Sequence, residues 1–373
     1  MAKLYLGTNQ ISDDPYDYPY TTDFQGGVKQ TRNLTSITDS DGYYFNSSLT
    51  SIYVGTNVTS IGSSAFYGAT SLADITFTEG LTSIGSKAFY FGNSLTSIVI
   101  PNSVTTIGSE AFKYCSANLT SVTLGTGLTS IENNTFYGCS SLADVTIPYG
   151  VTSIGSFAFY SCTSLASITI PYSVTSIGSF AFYSCSNLTS IIIPNSVTSI
   201  GGYAFNQCTS LSSVTLPNGL TTIEDYLFYN CSSLSNITIP SGVTSIGDSA
   251  FSYCAFTSIT IPNDVTSIGS QAFLYCTNLT EINIPNDVSS IGGFSFFNCT
   301  AMTIATIGSG VTSIGSYAFS LCSSLATINC LATTAPTLGS GAFNYVAASV
   351  IHVPAGATGY GATYGGLTVI DDL

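Results

Sequence analysis

Basic residues are scarce in this 373-residue chain, and their scarcity excludes whole classes of partner. The formal net charge is −14, and charged residues make up 6% of the sequence. The five cations all lie in the first third of the chain: Lys3, Lys29, Arg32, Lys87 and Lys113. Nucleic acids and anionic membrane surfaces are bound through clusters of lysine and arginine. The sequence therefore excludes a nucleic-acid partner and disfavours an anionic membrane.

Long apolar runs are also missing, although hydrophobic residues make up 45% of the chain. A membrane-spanning helix needs about 18 consecutive apolar residues, and Ser, Thr, Gly and Asn interrupt every apolar stretch here. Residues 1–10 contain one lysine and lack the apolar core of a secretory signal. We therefore expect no membrane insertion. We expect a location outside the cell, on a cell surface or in a virion, reached without a recognisable signal peptide.

Histidine is nearly absent, because the chain has one, His352. A hydrolytic triad needs a histidine beside a nucleophile and a carboxylate, and the segment around His352 provides no evident setting of that kind. A zinc site needs Cys or His residues paired at short spacing, and the sequence has no such pair. The sequence thus predicts no enzyme activity, no metal site and no cofactor.

The dominant feature that the chain does have is a phrase of about 23 residues, repeated thirteen times. Most copies place an Ala-Phe pair four residues after an isoleucine, as in Ala158-Phe159. The isoleucine column, which ends in a leucine, is spaced by 22 to 24 residues: Ile61, Ile84, Ile107, Ile131, Ile154, Ile177, Ile200, Ile223, Ile246, Ile268, Ile291, Ile314 and Leu338. A period of this length is typical of a solenoid, in which each copy is too small to bury its own apolar face and must stack on its neighbours.

Each copy divides into segments with different expected structures. Residues 165–170 read Leu-x-x-Ile-x-Ile and end at Pro171, which predicts a strand. Residues 174–178 predict a tight turn, and residues 179–185 place Ala, Phe and Cys about one helical turn apart, which predicts a short helix. Stacked strands lie about 4.8 Å apart and packed helices 8–10 Å apart. We therefore expect a curved α/β solenoid with a parallel β-sheet on its concave side and short helices on its convex side.

Ten of the eleven cysteines form another column, three residues after the repeat phenylalanine. They are Cys115, Cys139, Cys162, Cys185, Cys208, Cys231, Cys254, Cys276, Cys299 and Cys322. A disulfide needs Cβ atoms about 3.8 Å apart, whereas stacked equivalents lie about 4.8 Å apart with parallel Cβ directions. Free cysteine is small, apolar and easily buried. We therefore predict that this column belongs to the core and that its thiols are reduced.

The complete phrase, L-x-x-I-x-I-P-x-x-V-T-S-I-G-x-x-A-F-x-x-C, resembles the BspA-type leucine-rich repeat from about Leu34 to Asp371. Residues 335–355 are similar to the C-terminal cap of such proteins from gut bacteria and their phages. Members of that family are mostly surface or secreted proteins that bind host matrix, other cells or polymers. The resemblance implies a leucine-rich-repeat solenoid that binds a partner, and it carries over no catalytic residue.

The extent of the repeat predicts three parts of the chain. Residues 1–33 do not repeat, and we expect them to form an N-terminal cap or an attachment arm. Residues 34–330 form the solenoid of leucine-rich repeats. Residues 331–373 form the last, modified repeat and a C-terminal cap, because the apolar end of a stack must be covered.

Two outward surfaces are candidates for contact with a partner. On the strand side the outward residues are mostly hydroxyls, as in Ser167 and Thr169, which suits either a weakly polar contact surface or simple strand propensity. On the predicted helix side, aromatic residues three apart share a face, and stacked copies would form a stripe. The candidate partner-binding residues in that stripe are Phe157, Tyr160, Phe180, Tyr183, Tyr203, Tyr226, Tyr229, Phe294 and Tyr317. The stripe is either an exposed contact surface or a row of rings half-buried against its neighbours.

These features lead to one leading functional hypothesis and two alternatives. The leading hypothesis is a non-catalytic adhesion or recognition scaffold that binds a cell-surface glycan or protein. The first alternative is a structural phage virion component, such as a tail, fibre or receptor-binding protein, anchored through residues 1–33. The second is self-assembly into a fibril or surface layer, which a smooth surface of low charge favours. The expected partners are accordingly a glycan or protein, other virion proteins or further copies of the chain.

Overall fold

The chain folds into stacked coils, each of which pairs short strands in parallel with those of its neighbours. The structure, a computed structural model, describes four stretches of the chain: residues 2–6, 29–31, 36–37 and 44–373. It divides into two units, Met1–Leu188 and Thr189–Leu373, which are built from the same kind of coil. A typical coil has an A strand from the Leu-x-x-Ile-x-Ile segment and a B strand that ends at the repeat isoleucine.

The A strands carry the apolar alternation that the sequence predicts. The A and B strands are numbered together in chain order. The A strands of the first unit are β1 (Ala2–Leu6), β2 (Lys29–Thr31), β4 (Leu49–Val54), β6 (Asp74–Phe77), β8 (Ser97–Val99), β10 (Ser121–Thr123) and β12 (Asp144–Thr146). In the second unit they are β15 (Ser190–Ile192), β17 (Ser213–Thr215), β19 (Asn236–Ile237), β22 (Glu281–Ile284), β24 (Ile304–Ile307), β26 (Thr327–Cys330), β28 (Val350–Val353), β29 (Thr363–Tyr364) and β30 (Leu367–Asp371). Val122 of β10 pairs with Ile98 and Val145, and all three are buried. The alternation therefore directs the side chain at this position of each A strand into the core, where these side chains form a column.

The B strands lie in the segment where the sequence predicts a tight turn, and they were not foreseen. In the first unit they are β3 (Ser36–Ile37), β5 (Ser60–Ile61), β7 (Ser83–Ile84), β9 (Thr106–Ile107), β11 (Ser130–Ile131), β13 (Ser153–Ile154) and β14 (Ser176–Ile177). In the second unit they are β16 (Ser199–Ile200), β18 (Thr222–Ile223), β20 (Ser245–Ile246), β21 (Ser267–Ile268), β23 (Ser290–Ile291), β25 (Ser313–Ile314) and β27 (Thr337–Leu338). Ile154 pairs with Ile131 and Ile177, so the repeat isoleucines stack in register.

The strand order follows the chain through most of each sheet. In the first unit the A strands form the sheets β2-β1-β4-β6 and β8-β10-β12, and B strands form β3-β5-β7-β9. In the second unit the sheets are β15-β17-β19, β22-β24-β26-β28-β30-β29 and, from B strands, β18-β20-β21-β23-β25-β27. The named pairs are parallel except β29 with β30. The parallel β-solenoid that the repeat predicts is therefore confirmed within each unit.

The predicted short helices are wrong, because the described residues contain no helix. Overlapping four-residue turns take their place. In one coil the amides of Ala158, Tyr160 and Cys162 each donate to the carbonyl three residues earlier, at 3.2 to 3.3 Å. Phe157 and Ser161, the third residues of the first and last of these turns, have φ of 59° and 55°. A positive φ at that position is typical of a type II turn and is incompatible with a right-handed helix.

Hydrogen bonds between coils explain why turns replace the helix. The amides of Phe157, Phe159 and Ser161 donate to carbonyls of the next coil at 3.0, 2.8 and 2.7 Å, whereas a helix would use such amides internally. The coils therefore approach closely on this side too, and the ring centroids of Phe159 and Phe182 are 5.4 Å apart. Packed helices would need 8–10 Å. The predicted bend depended on a wider spacing between coils on the helix side than on the strand side. That predicted difference in spacing is wrong.

The core consists of columns of like side chains. In the first unit the fully buried phenylalanines stack with centroids 5.3 to 5.7 Å apart and interplanar angles of at most 15°. Leucine and valine columns, which include Leu165 and Val174, are buried beside them. Each apolar Å² removed from water stabilises the fold by roughly 25 cal/mol. Because each ring contacts both neighbours in its column, the coils stabilise one another.

The terminal segments add strands to the ladder. β1 lies between β2 and β4 in parallel register, so residues 2–6 belong to the sheet, while most of the predicted arm 1–33 lies outside the described residues. At the other end β28, β30 and β29 continue the A sheet. The hydroxyls of Tyr360 and Tyr364 donate to the carbonyls of Ala332 and Pro336 at 2.7 Å, and both rings are buried. These two bonds tie residues 360–364 to the last coil.

The close approach of the coils predicts opposite effects for two glycine substitutions. A Cβ at Gly178 would lie 2.5 Å from the amide nitrogen of Ser156 and 2.7 Å from the carbonyl carbon of Gly155, and backbone cannot yield there. Gly178→Ala should therefore lower the free energy of unfolding by about 1–3 kcal/mol. A Cβ at Gly219 would contact nothing within 4 Å, so Gly219→Ala should raise it by about 0.4–1 kcal/mol. Urea unfolding measures both, and equal effects of the two changes would contradict the described approach of the coils.

Candidate functional site

The strand face, defined as the outward side chains of the A segments, is exposed to solvent. The residues of this face that the sequence singled out are all exposed: Ser167, Thr169, Ser190, Ile192, Ser213, Thr215, Asn236, Thr238, Ser258, Thr260, Glu281 and Asn283. Most are hydroxyls, and Ile192 and Val99 add exposed apolar surface. The face therefore offers mostly neutral hydrogen-bonding groups, scattered apolar side chains and a few carboxylates such as Glu281, which suits a partner without strong negative charge.

The predicted aromatic stripe forms two columns, which we call the aromatic columns. In the first unit one column holds Phe157 and Phe180 and the other holds Tyr160 and Tyr183. In the second unit the equivalent positions hold Tyr203, Tyr226, Phe294 and Tyr317 in the first column and Tyr229 in the other, and all six first-column residues have positive φ. Within the first unit, neighbouring rings in each column stack with centroids 4.7 Å apart, Phe157 on Phe180 and Tyr160 on Tyr183. Tyr317 is exposed and the other eight are half-buried. Because bulky residues disfavour positive φ, the stacking contacts help to explain why aromatic rings occupy this column.

One cluster of charge contacts Tyr137, whose ring stacks on Tyr160 of the aromatic columns with centroids 4.4 Å apart. The Lys113 Nζ atom lies 4.5 Å from the centroid of the Tyr137 ring and 3.2 Å from the carboxylate of Glu110. Partial burial, followed by the neighbouring rings of Tyr160 and Tyr114, raises the pKa of Tyr137 to about 12. The Tyr137 hydroxyl is therefore protonated near neutral pH and can donate a hydrogen bond.

Sequence reasoning missed Tyr149 and Tyr172, which are the two most exposed aromatic residues in the part of the chain that the structure describes. Their side chains are 79% and 77% exposed, and both line a cleft of about 330 Å³ on the strand face. Each directly follows the proline that ends the A segment, a position that holds asparagine in several other copies, such as Asn102. The replacement of asparagine by tyrosine in two consecutive copies is the sequence feature from which these two candidates could have been predicted.

The cysteine column lies inside the coils. All ten cysteines of the column, and Cys330, are buried and form no disulfide. Thiols donate to the phenylalanine carbonyl of the preceding coil, as Cys139 does to Phe112 at 3.1 Å and Cys162 does to Phe136 at 3.3 Å. Burial raises the pKa of Cys115 from 9.0 to about 12. Because thiolates are the reactive form of cysteine, these thiols are poor nucleophiles and poor metal ligands in the folded chain.

The raised thiol pKa values predict an alkaline loss of stability. A thiol such as Cys115 has a higher pKa in the folded chain than the ordinary 9.0, so its burial contributes full stability below pH 9.0. That contribution falls as the pH rises from 9.0 towards about 12. Urea unfolding above pH 9.0 should therefore give a lower free energy of unfolding than urea unfolding below pH 9.0.

The burial of the cysteine column also predicts that a thiol reagent will not label these thiols until the chain unfolds. Rapid labelling of the folded chain would contradict the burial of the column.

The single histidine, His352, has a carboxylate partner that the sequence did not reveal. The sequence showed no carboxylate partner for His352, but the structure places its Nδ1 atom 2.8 Å from the Asp372 carboxylate. Within the described residues, no three His, Cys, Asp or Glu side chains form a group that could hold a metal ion. The described part of the chain likewise contains no helix with the length and apolar composition that crossing a bilayer requires.

Comparison with known families identifies the repeat. Residues 35–148, 129–256 and 244–362 match the family described as BspA type leucine-rich repeat region, in six copies. These matches span most of the chain. The chain belongs to the BspA-type leucine-rich repeat family. The buried leucine, isoleucine and phenylalanine columns are thus the repeat signature of that family, expressed in parallel A and B strands joined by turns.

Solved structures agree with this assignment to the BspA-type family. A leucine-rich repeat protein from Bacteroides ovatus is 28% identical, with a TM-score of 0.62, and the match covers 80% of this chain and 90% of that one. The pneumococcal vaccine antigen PcpA is 18% identical, with a TM-score of 0.50, and the match covers 100% of this chain and 89% of that one. The second likeness is one of fold. The search of curated proteins found no match.

Proposed function

We propose that this BspA-type chain is a non-catalytic recognition scaffold that binds a cell-surface glycan or protein through its strand face. One contrast carries the proposal. The buried columns repeat from coil to coil, whereas the outward side chains of the A segments vary and remain exposed. Proteins built from leucine-rich repeats generally bind other proteins, which supports a role in recognition.

The chemistry of the remaining groups supports binding rather than catalysis. The buried thiols are protonated near neutral pH because desolvation raises their pKa. His352 contacts Asp372, and neither residue lines the cleft that holds Tyr149 and Tyr172. We therefore assign the chain no catalytic residue and no cofactor.

The strand face is favoured over the aromatic columns as the contact surface. The columns are mostly half-buried, and their rings already stack on one another. The strand face holds exposed apolar side chains such as Ile192 and two clefts, of about 330 and 770 Å³. Exposed apolar patches and concave pockets are typical of contact surfaces.

A direct binding experiment tests this proposal. Fluorescently labelled chain would be incubated with bacterial cells, epithelial cells, arrayed glycans and surface proteins. We expect saturable binding that Ile192→Glu on the strand face weakens by about tenfold, while Phe180→Ser in the aromatic columns retains it. Circular dichroism would check that both variants remain folded. Lack of binding to every cell, glycan and protein would contradict the proposal, and loss confined to Phe180→Ser would move the contact surface to the aromatic columns.

A further inference from the structure

Tyr149 and Tyr172 occupy a position that has a structural role in other coils. Asparagine stands there in those coils, and its side-chain oxygen accepts a hydrogen bond from a backbone amide of the next coil. Asn102 accepts from Thr126 at 3.0 Å, and Asn286 accepts from Ser309 at 3.0 Å. A phenol ring cannot reproduce this short carboxamide contact. Two consecutive coils therefore replace a stabilising asparagine with a large exposed ring.

The two tyrosines flank a defined cleft, which we call the tyrosine cleft. It has a volume of about 330 Å³, and its polar lining includes Asp144, Thr146 and Thr169. The A ladder of the first unit ends there, because β12 is its last strand and residues 167–170 are not a strand. The cleft thus combines two ring faces with a carboxylate and hydroxyls on one exposed surface.

The lining of the tyrosine cleft selects for one chemical class of ligand. Aromatic faces pack against the C–H faces of pyranose rings, and the Asp144 carboxylate and threonine hydroxyls can accept hydrogen bonds from sugar hydroxyls. The lining contains no cation, and the chain carries a net charge of −14, which disfavours uronic acids and sulfated sugars. A protein partner would favour a central cluster of buried anchoring side chains, whereas the two tyrosines that border this cleft are largely exposed and stand on separate coils.

We propose that the tyrosine cleft binds a neutral glycan chain, with Tyr149 and Tyr172 stacking on successive sugar rings and Asp144 accepting hydrogen bonds from ring hydroxyls. This inference rests on the proposed function, since it names the ligand class and the site of the same recognition scaffold. Tyr149 and Tyr172 follow equivalent prolines of consecutive coils and line the same cleft, which suits a linear polysaccharide that runs from one coil to the next.

Calorimetric titration with defined polysaccharides tests this site. The probes are a soluble β-glucan, an α-mannan and a galactan, with alginate and heparin as acidic comparators. We expect at least one neutral polysaccharide to bind and neither acidic one to do so. The double variant Tyr149→Ala/Tyr172→Ala should raise Kd about tenfold or more, and Asp144→Asn should also weaken binding. The double variant with phenylalanine should keep Kd within about twofold, because phenylalanine retains the ring face.

A matched control and a second assay separate the possible failures. Tyr345 is 75% exposed and lies outside the cleft, so Tyr345→Ala should leave Kd unchanged. Binding of none of the neutral polysaccharides, preference for alginate or heparin, or unchanged affinity in the double alanine variant would each overturn the glycan site. If the labelled chain still binds cells and the double variant binds them equally well, the glycan site is wrong and the recognition scaffold stands.

Discussion

Replacement of Phe159 with alanine is expected to lower the free energy of unfolding by about 3–5 kcal/mol. The ring is fully buried and stacks between Phe136 and Phe182, with centroids 5.5 and 5.4 Å away. Its removal leaves a cavity and takes a contact from each neighbour, so adjacent coils should loosen together. Urea unfolding monitored by circular dichroism measures the change.

An exposed ring provides the control for this large effect. Tyr172 is 77% exposed on a neighbouring coil, so Tyr172→Ala should change the free energy of unfolding by less than about 0.5 kcal/mol. Equal losses from Phe159→Ala and Tyr172→Ala would mean that the phenylalanine column does not form the interior of the coils.

Deletion of one complete repeat, residues 151–173, is expected to leave a folded chain. The deletion joins Gly150 to Val174, and Val174 is equivalent to Val151 in the repeat. Ile177 would then take the place of Ile154 beside Ile131 in the B ladder. Because each coil contacts its nearest neighbours, the stack should close with the same registers. The free energy of unfolding should fall by about the contribution of one coil.

Deletion of a partial repeat provides the contrasting result. Removal of residues 151–162 would bring an A segment to the place of a B strand, so buried and exposed columns would no longer align. We expect this variant to lose cooperative unfolding and to aggregate, as judged by calorimetry and light scattering. The account would be contradicted if both deletions folded equally well, or if the complete-repeat deletion failed to fold.

The repeat period allowed the stacking and much of the core to be predicted from sequence. Isoleucine and phenylalanine recur at fixed spacing, and stacked copies can bury them only in shared columns. Most A strands followed from the alternation that ends at proline, but the strand predicted at residues 165–170 was wrong, because the structure has none there. The B strands were missed because two residues, such as Ser153–Ile154, are too short to show a period.

The helix prediction failed for a reason that lies in the backbone. Side chains three and four apart, such as Ala181, Phe182 and Cys185, suit both a helix and overlapping turns. What distinguishes them is a positive φ at positions where this sequence often has a bulky residue, as at Phe157 and Phe180. Gly68 and Gly138 occupy the second positive-φ position in their coils, and these glycines weakly indicated the positive φ in the sequence.

The candidate contact residues were harder to predict than the core. Exposure of a ring depends on what neighbouring coils place beside it, so the aromatic columns could not be separated into buried and exposed members from sequence. Tyr149 and Tyr172 could have been found, because they depart from the asparagine that other copies hold at that position. Departure from the repeat, more than residue type, indicates where to look for recognition.

The central claim is that each coil is held to the next by backbone hydrogen bonds on the turn side as well as through its strands. Scalar coupling across hydrogen bonds, measured by NMR on isotope-labelled chain, tests it most directly at Phe159. The structure predicts coupling between the Phe159 amide nitrogen and the carbonyl carbon of Ala181, whose oxygen lies 2.8 Å from that nitrogen in the next coil. Coupling to the carbonyl of Gly155 instead, as in a helix, would contradict the account.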